Sequence, residues 1–100
     1  VSENCDLLLR DIGICAQTIM RSAVETGLNG CIVGNFSPEK LAASLSLPEN
    51  IIPNLVIALG KADETVVFED ITDGNTDYYR DGNDVHHVPK RTLGEVVINR

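Results

Sequence analysis

Apolar residues recur at helical spacing through the first quarter of the chain. One stripe has members three or four residues apart: Cys5, Leu8, Ile12, Cys15, Ala16, Ile19 and Ala23. This period predicts one long helix over residues 3–26. A second apolar set widens the stripe over most of the helix circumference: Leu7, Leu9, Ile14, Met20 and Val24. Helices that are apolar on several faces are typically buried, so the sequence predicts a long buried helix.

Polar and glycine residues mark the two ends of this helix. Ser2 is suited to cap the first turn, where the helix dipole also favours the acids Glu3 and Asp6. Gly27 follows the last turn and suits the left-handed conformation that often ends a helix. Gly13 lies inside the helix, where glycine costs about 1 kcal/mol relative to alanine. Either another backbone or a flat ligand approaches closely there, or the glycine is simply tolerated.

Two short apolar runs further along predict strands. Residues 30–34 form an apolar segment between two glycines, and residues 54–59 are nearly all apolar, which predicts a strand buried on both faces. Between them, Ser37 and Pro38 predict a helix start, because serine caps well and proline suits the first helical position. This short helix is predicted to run to about Ser46, with three side chains pointing inward: Leu41, Ala42 and Leu45.

The last third of the chain predicts a hairpin and two minor elements. Residues 65–68 have the pattern of a short strand. Residues 78–80 and 85–88 flank the turn at residues 81–84, and together they predict a β-hairpin. Residues 93–98 form a short apolar element whose type the pattern leaves open. The order helix, strand, helix, strand, hairpin predicts the α+β class, with helices around a buried sheet.

Composition narrows the class of protein. The chain has 100 residues, 43% of them hydrophobic but only four aromatic, which predicts a single domain at most with an aliphatic core. Its net charge of −7 argues against binding to nucleic acid or to anionic membrane surfaces. No apolar run is long enough to span a membrane, and the opening residues lack the pattern of a signal peptide.

The negative charge is concentrated in one region. A single base, Arg80, accompanies eight acids: Asp63, Glu64, Glu69, Asp70, Asp73, Asp77, Asp81 and Asp84. The simplest interpretation is the solvated surface of a hairpin. A calcium loop is the alternative, but the spacing of these acids lacks the alternate-residue pattern and closing glutamate of an EF-hand.

The cysteines predict neither a disulfide framework nor a zinc site. Cys5, Cys15 and Cys31 are odd in number and widely spaced. We therefore expect buried, reduced thiols in a cytoplasmic protein.

Two segments are candidates for ligand binding. Gly34, at the end of the predicted strand, would let a ligand approach the backbone closely and would present an N–H donor; a turn before the Ser37 helix is the structural alternative. Lys90 and Arg91 form a basic pair that could bind phosphate, Arg91 as a planar fork and Lys90 as a point charge. An exposed pair of cations at a strand end is the alternative there.

The remaining polar residues do not predict catalysis. His86 and His87 are adjacent on a strand, so they face opposite sides and cannot easily share a metal ion. We expect hydrogen-bonded or exposed histidines and assign no metal ligand. No nucleophile and base pair can be identified either, so no catalytic residue is assigned.

The chain resembles the FMN-dependent nitroreductase family in several segments that occur in the same order. These are residues 11–17 (DIGICAQ) with residues 23–28 (AVETGL), residues 30–34 (GCIVG), residues 55–60 (LVIALG) and residues 90–97 (KRTLGEVV). The resemblance implies an α+β, nitroreductase-like FMN-binding fold that is partial, with residues 1–100 as the C-terminal part of the domain. The family's N-terminal half, with an Arg-Ser-x-Arg-type segment that grips FMN, has no counterpart here.

The resemblance also implies a cofactor, partners and a site. The family binds FMN at the interface of a homodimer and passes electrons from NAD(P)H through the flavin to a nitroaromatic, quinone or similar acceptor. By position, backbone N–H groups around Val33 and Gly34 would face the N5/O4 edge of the flavin. Lys90 and Arg91 would bind the FMN phosphate. The chain departs from the family pattern at Asn29, where glycine is commoner.

Two functions from different classes remain open at this point. The first is an FMN-dependent oxidoreductase of which this chain is a part; a flavin-using relative such as a dehalogenase is a variant of it. The second is a non-catalytic structural or interaction fragment that docks its apolar N-terminal helix on a partner chain. The first helix has more apolar faces than the predicted strands could cover, so a partner or a further segment is expected to cover the rest.

Overall fold

The computed structural model describes residues 3–98 and divides them into two compact units. The first unit comprises residues 3–61 and the second residues 62–98. The predicted cap Ser2 lies outside the described residues. Helices and strands occur in both units, which confirms the α+β class.

The first unit begins with the predicted long helix. Helix α1 spans Glu3–Glu25, and Gly27 follows it with φ +83°, which confirms the predicted left-handed residue. The N–H of Leu28 then donates to the carbonyl oxygen of Ala23 at 2.9 Å and closes the helix end. No helix in the described part of the chain, α1 included, is long and apolar enough to cross a membrane.

A two-stranded sheet follows the helix. Strand β1, Asn29–Val33, pairs antiparallel with β2, Val56–Gly60, in a register that sets Cys31 opposite Ala58. Helix α1 packs on β1 and buries Ala16 and Ala23, which lie two turns apart on one helix face. This small contact is the core of the first unit.

The predicted burial of α1 and of the strands is wrong for this chain by itself. Two strands cover only one face of a 23-residue helix, and each strand keeps an unpaired edge. In β2, Val56 and Ile57 are half-buried while the rest of the strand is exposed. The apolar side chains left exposed on α1 are Leu7, Leu8, Leu9, Ile14, Ile19 and Val24.

The short helix begins where the sequence predicts. Helix α2 spans Pro38–Ser44, with Ser37 as its N-cap and Pro38 in the first turn. It ends two residues before the predicted Ser46, which has φ +54°. The predicted inward orientation is confirmed for Leu41 and Ala42, which are half-buried. It is wrong for Leu45, which is 60% exposed.

The second unit is a three-stranded sheet followed by one helical turn. Strands β3 (Thr65–Asp70), β4 (Tyr79–Arg80) and β5 (Val85–Lys90) lie in the order β3-β5-β4. Strands β4 and β5 form the predicted antiparallel hairpin. Strand β3 is two residues longer than predicted and pairs with β5 in parallel, a pairing that the sequence pattern did not predict.

The element at the end of this unit is a short helix, α3, Leu93–Val96. Thr92 caps it in a capping box: the Glu95 N–H donates to Thr92 Oγ1 at 3.4 Å, and the Thr92 N–H donates to Glu95 Oε2 at 2.7 Å. The spacing Thr-x-x-Glu is the sequence signal for this helix start.

Candidate functional site

The first candidate segment is the exposed end of β1. Val33 is the last residue of the strand, half-buried and opposite Val56 in the register. Gly34 follows directly and is exposed. A Cβ built on Gly34 would have no other atom of the described chain within 4 Å. The backbone at this position therefore lies open to close approach by a ligand.

Close packing of α1 on the sheet fixes the strand that leads to Gly34. A Cβ built on Gly30 would lie 2.5 Å from Met20 Sδ and 3.0 Å from Leu59 Cδ2. Only a glycine admits the methionine of α1 this near to the β1 backbone. Sequence reasoning singled out the glycines around this strand but gave Met20 no partner.

The loop after β1, residues 34–36, ends at the capped start of α2. Ser37 Oγ accepts a hydrogen bond from the Lys40 N–H at 3.3 Å and donates to Glu39 Oε2 at 3.2 Å. Residues 34–36 thus connect an ordered strand end to a capped helix start. This loop presents a short stretch of backbone between two anchored elements.

The second candidate segment, Lys90 and Arg91, lies in the second unit. Lys90 ends β5 opposite Asp70, and its carbonyl oxygen accepts from the Ile71 N–H at 3.1 Å. Its Nζ lies 5.8 Å from the centroid of the Phe68 ring, within the range of a cation–π contact. Arg91 follows β5 and immediately precedes the cap of α3.

Both cations remain available for a ligand. Lys90 and Arg91 are exposed, and neither forms an ion pair within 4.0 Å with a carboxylate in residues 3–98. The pKa of Glu95 is lowered chiefly by hydrogen bonds from Thr92, with a smaller contribution from the charge of Arg91. The two predicted segments belong to different units: Val33 and Gly34 to the first, Lys90 and Arg91 to the second.

The predicted opposite orientation of the two histidines is confirmed. His86 makes an edge contact with Tyr78, and its Nδ1 lies 3.8 Å from Glu64 Oε2. On the other face, His87 stacks flat on Tyr79, with ring centroids 4.6 Å apart and 2° between the planes.

His87 lies between two carboxylates that come from different elements. Its Nε2 is 2.7 Å from Asp81 Oδ2, in the turn after β4, and its Nδ1 is 3.2 Å from Glu69 Oε2, on β3. Asp81, and to a lesser extent Glu69, raises the pKa of His87. The hydrogen bond from His87, followed by that from the Val85 N–H, lowers the pKa of Asp81. We name this group of His87, Asp81, Glu69 and Tyr79 the His87 cluster.

Arg80 organises the acids on the opposite face of the same sheet. Its guanidinium donates to Glu64 Oε2 at 2.6 Å and to Asp84 Oδ1 at 3.2 Å. The hydrogen bond from Arg80 lowers the pKa of Glu64, and the same bond raises the pKa of Arg80. Of the eight acids in this region, only Glu69 and Asp81 are half-buried, and both face His87; the predicted solvated surface is confirmed for the other six.

Sequence reasoning missed the His87 cluster because its members are distant along the chain. The sequence did carry a signal for one member, Asp81. An aspartate in a turn such as Asp-Gly-Asn-Asp is a typical acceptor for nearby backbone N–H groups. Asp81 accepts from the N–H groups of Asn83 at 2.8 Å and Val85 at 3.0 Å. Within residues 3–98, no cluster of three or more His, Cys, Asp or Glu side chains is arranged so that it could hold a metal ion.

The predicted burial of the cysteine thiols is wrong. Cys5, Cys15 and Cys31 are all free and exposed. The first two lie on faces of α1 that β1 does not cover, and Cys31 lies on the exposed part of β1. The burial prediction assumed a complete cover over α1 and β1, which the first unit does not provide.

Comparison with known protein families places part of this chain in a described family. The model of the nitroreductase family matches residues 6–61, more than half of the chain. This range contains α1, β1, α2 and β2 almost entirely, with Val33 and Gly34, and it ends before Lys90 and Arg91. All the segments of the predicted resemblance except residues 90–97 lie inside it. The chain therefore belongs to the nitroreductase family, and its type of activity is that of an oxidoreductase.

Proposed function

We propose that this protein is an FMN-dependent oxidoreductase of nitroreductase type, which passes electrons from NAD(P)H through the flavin to a nitroaromatic, quinone or similar acceptor. One observation carries the proposal: the family match over residues 6–61 includes the strand end at Val33 and Gly34, where the Gly34 backbone lies open to a ligand. The flavin would supply the redox chemistry, and the protein would supply its placement and electrostatic surroundings.

The end of β1 fits the edge of a flat ring. Gly34 has no Cβ, and the space where one would lie is empty of other atoms within 4 Å. The Gly34 backbone could therefore come close to a ring heteroatom, and the N–H groups around Val33 and Gly34 are the proposed donors to it. Donors fixed in this way stabilise negative charge that develops on a bound group. We assign Val33 and Gly34 to the N5/O4 edge of FMN on this basis.

Lys90 and Arg91, which belong to the second unit, have the chemistry to bind the phosphate of an FMN. They are adjacent, exposed and without a carboxylate partner within 4.0 Å in the described residues, although the chain carries a net charge of −7. Unpaired cations bind a phosphate dianion without first breaking an ion pair. We assign the phosphate to this pair.

A second copy of this chain is the proposed protein partner, with residues 1–100 as the C-terminal part of a larger nitroreductase-like domain. The uncovered apolar side chains of α1 support both statements. Leu8 is 61% exposed and Ile14 is 66% exposed, on a helix of 23 residues. Exposed apolar surface on this scale is typical of a surface that another chain or segment covers.

The alternative is an interaction fragment without catalysis, and the same exposed helix favours it. In that case α1 would dock on a different partner, and the open strand end would have no ligand. Flavin binding separates the two functions.

The first experiment is therefore a measurement of FMN binding to the purified chain by absorbance and fluorescence. The double variant Lys90→Ala, Arg91→Ala should weaken FMN binding by roughly 10- to 100-fold, because each charge-assisted contact to phosphate is among the stronger hydrogen bonds. The matched control is Lys40→Ala, Lys61→Ala, which removes two exposed lysines that the proposal does not use.

Riboflavin, which lacks the phosphate, gives a second control. Its affinity should be the same for the Lys90, Arg91 double variant as for the unchanged chain. Equal FMN affinities in the two chains would refute the phosphate assignment. A chain that binds neither ligand would mean either that a further segment of the domain is required or that the chain is the interaction fragment. The same measurement on a chain extended upstream of Val1 separates these two explanations, because only the oxidoreductase should then bind FMN.

A further inference from the structure

The geometry of the His87 cluster requires a particular protonation state. Both ring nitrogens of His87 lie within hydrogen-bond distance of carboxylate oxygens, Asp81 Oδ2 at 2.7 Å and Glu69 Oε2 at 3.2 Å. A neutral imidazole carries one N–H, so its other nitrogen would set a lone pair against a carboxylate. Only the imidazolium ion donates to both carboxylates at once.

We propose that His87 is a proton-controlled clamp, which joins β3 to the turn after β4 while its ring is charged and releases one of them when it loses the proton. The groups that face the ring are Glu69 from β3, Tyr79 from β4 and Asp81 from the turn. The neighbouring His86 faces the other side of the sheet. This inference concerns the second unit alone and does not depend on flavin binding.

Asp81 connects His87 to the backbone of the hairpin turn. Its Oδ2 faces His87, and its Oδ1 accepts from the N–H groups of Asn83 and Val85. The N–H of Asp81 also donates to the Val85 carbonyl oxygen at 3.0 Å. An Asp81 side chain that loses its bond to His87 is less fixed, so the turn it caps should open more often.

The direction of the pH dependence follows from the two shifted groups. The pKa of His87 is raised, so its stabilising contribution is complete below the ordinary histidine value of about 6.5 and is lost as the pH rises through the folded-state value. The pKa of Asp81 is lowered, so its contribution is present above about 3.9 and is lost as the pH falls through its own folded-state value. The clamp is therefore closed between these two folded-state values.

The test is an NMR titration of the full chain from acid to alkaline pH. The imidazole nitrogen signals of His87 should show both nitrogens protonated at neutral pH, with a midpoint above that of free histidine. The hydrogen-exchange protection factor of the Val85 amide, corrected for the intrinsic rate, should fall between about two- and tenfold as the ring loses its proton.

Three variants complete the test. His87→Gln should abolish the fall in Val85 protection that accompanies the loss of the His87 proton, whereas the matched control His86→Gln should retain it. Asp81→Asn keeps the acceptor of the turn but removes its charge, and it should lower the His87 midpoint. A midpoint at or below that of free histidine, a Val85 protection factor that stays constant through the titration, or a midpoint unchanged in Asp81→Asn would each overturn the clamp.

Discussion

The contact between α1 and β1 leads to the prediction that Gly30→Ala destabilises the first unit. The added methyl carbon would lie 2.5 Å from Met20 Sδ and 3.0 Å from both Met20 Cε and Leu59 Cδ2. Ordinary carbon contacts are about 3.5–4.0 Å, so the sulfur atom has to move by roughly 1 Å. The substitution therefore forces the methionine side chain away from the position it has in the unchanged chain.

Two opposing effects set the size of the change. Overpacking of this kind typically costs about 1–3 kcal/mol. Replacing a strand glycine by alanine by itself raises the free energy of unfolding by roughly 0.5–1 kcal/mol, because alanine loses less backbone entropy on folding. Methionine is flexible and adapts to a new neighbour, so the cost should lie toward the lower end. After the gain from removing the glycine is subtracted, we expect the free energy of unfolding to fall by roughly 0.5 kcal/mol.

Urea unfolding followed by circular dichroism measures this change. Gly60→Ala is the matched control, since it also adds a methyl group at a strand residue but has no atom within 4 Å of it. Its stability should be unchanged or slightly higher. The double variant Gly30→Ala, Met20→Ala should lose less than the sum of the two single changes, because one substitution makes room for the other. If Gly30→Ala is as stable as the unchanged chain and the double variant is additive, the close packing of Met20 on Gly30 is refuted.

Three further substitutions follow from local geometry. Gly13→Ala should raise the free energy of unfolding of the isolated chain by about 0.5–1 kcal/mol in urea titrations, since no described atom lies within 4 Å of the added carbon; a loss would mean that α1 is not a regular helix there. Gly27→Ala should lower it by about 1–2 kcal/mol in the same assay, because φ is +83° at that residue, and a neutral result would contradict the left-handed helix end. Arg80→Gln should raise the carboxyl titration midpoint of Glu64 in NMR experiments, because Arg80 lowers the pKa of Glu64 in the unchanged chain. The difference should shrink at high salt, and equal midpoints at low salt would rule out the ion pair.

Local signals were sufficient for most element boundaries. The helical period of residues 3–26, the Ser37 and Pro38 start of α2 and the Gly27 end of α1 all depend on neighbours within one or two turns. The structure confirms each of these positions to within a residue or two. The hairpin of β4 and β5 was predicted equally well, because its strands and turn are contiguous.

The residues of the candidate site were named from local signals and from the family resemblance. Gly34 ends a glycine-bounded apolar run, Val33 was added by the resemblance, and the family match covers both positions. Lys90 and Arg91 were identified from their charge, and their place at the end of β5 is a consequence of the hairpin. Their assigned roles toward FMN remain proposals.

Contacts between distant parts of the chain were beyond the sequence pattern. The parallel pairing of β3 with β5 sets Thr65 opposite Val85 and brings Glu69 to His87. No local period encodes such a pairing, because it depends on the register of two strands that are not adjacent in the chain. The contact of Met20 with Gly30 likewise requires the packing angle of α1 on β1.

Local sequence signals thus specify which segments form helices and strands, where the capped ends lie and which residue types are available for a ligand. Periodicity, caps and turn residues act over a few residues, so they can be read directly. Which side chains are buried depends instead on tertiary contacts. These contacts leave the cysteines and most of α1 exposed, and they place His87 between two carboxylates. Burial depends on how much of the chain is available to pack against a surface. A pattern of apolar residues shows which surface would be buried in a complete fold, but it does not show whether other residues pack against it.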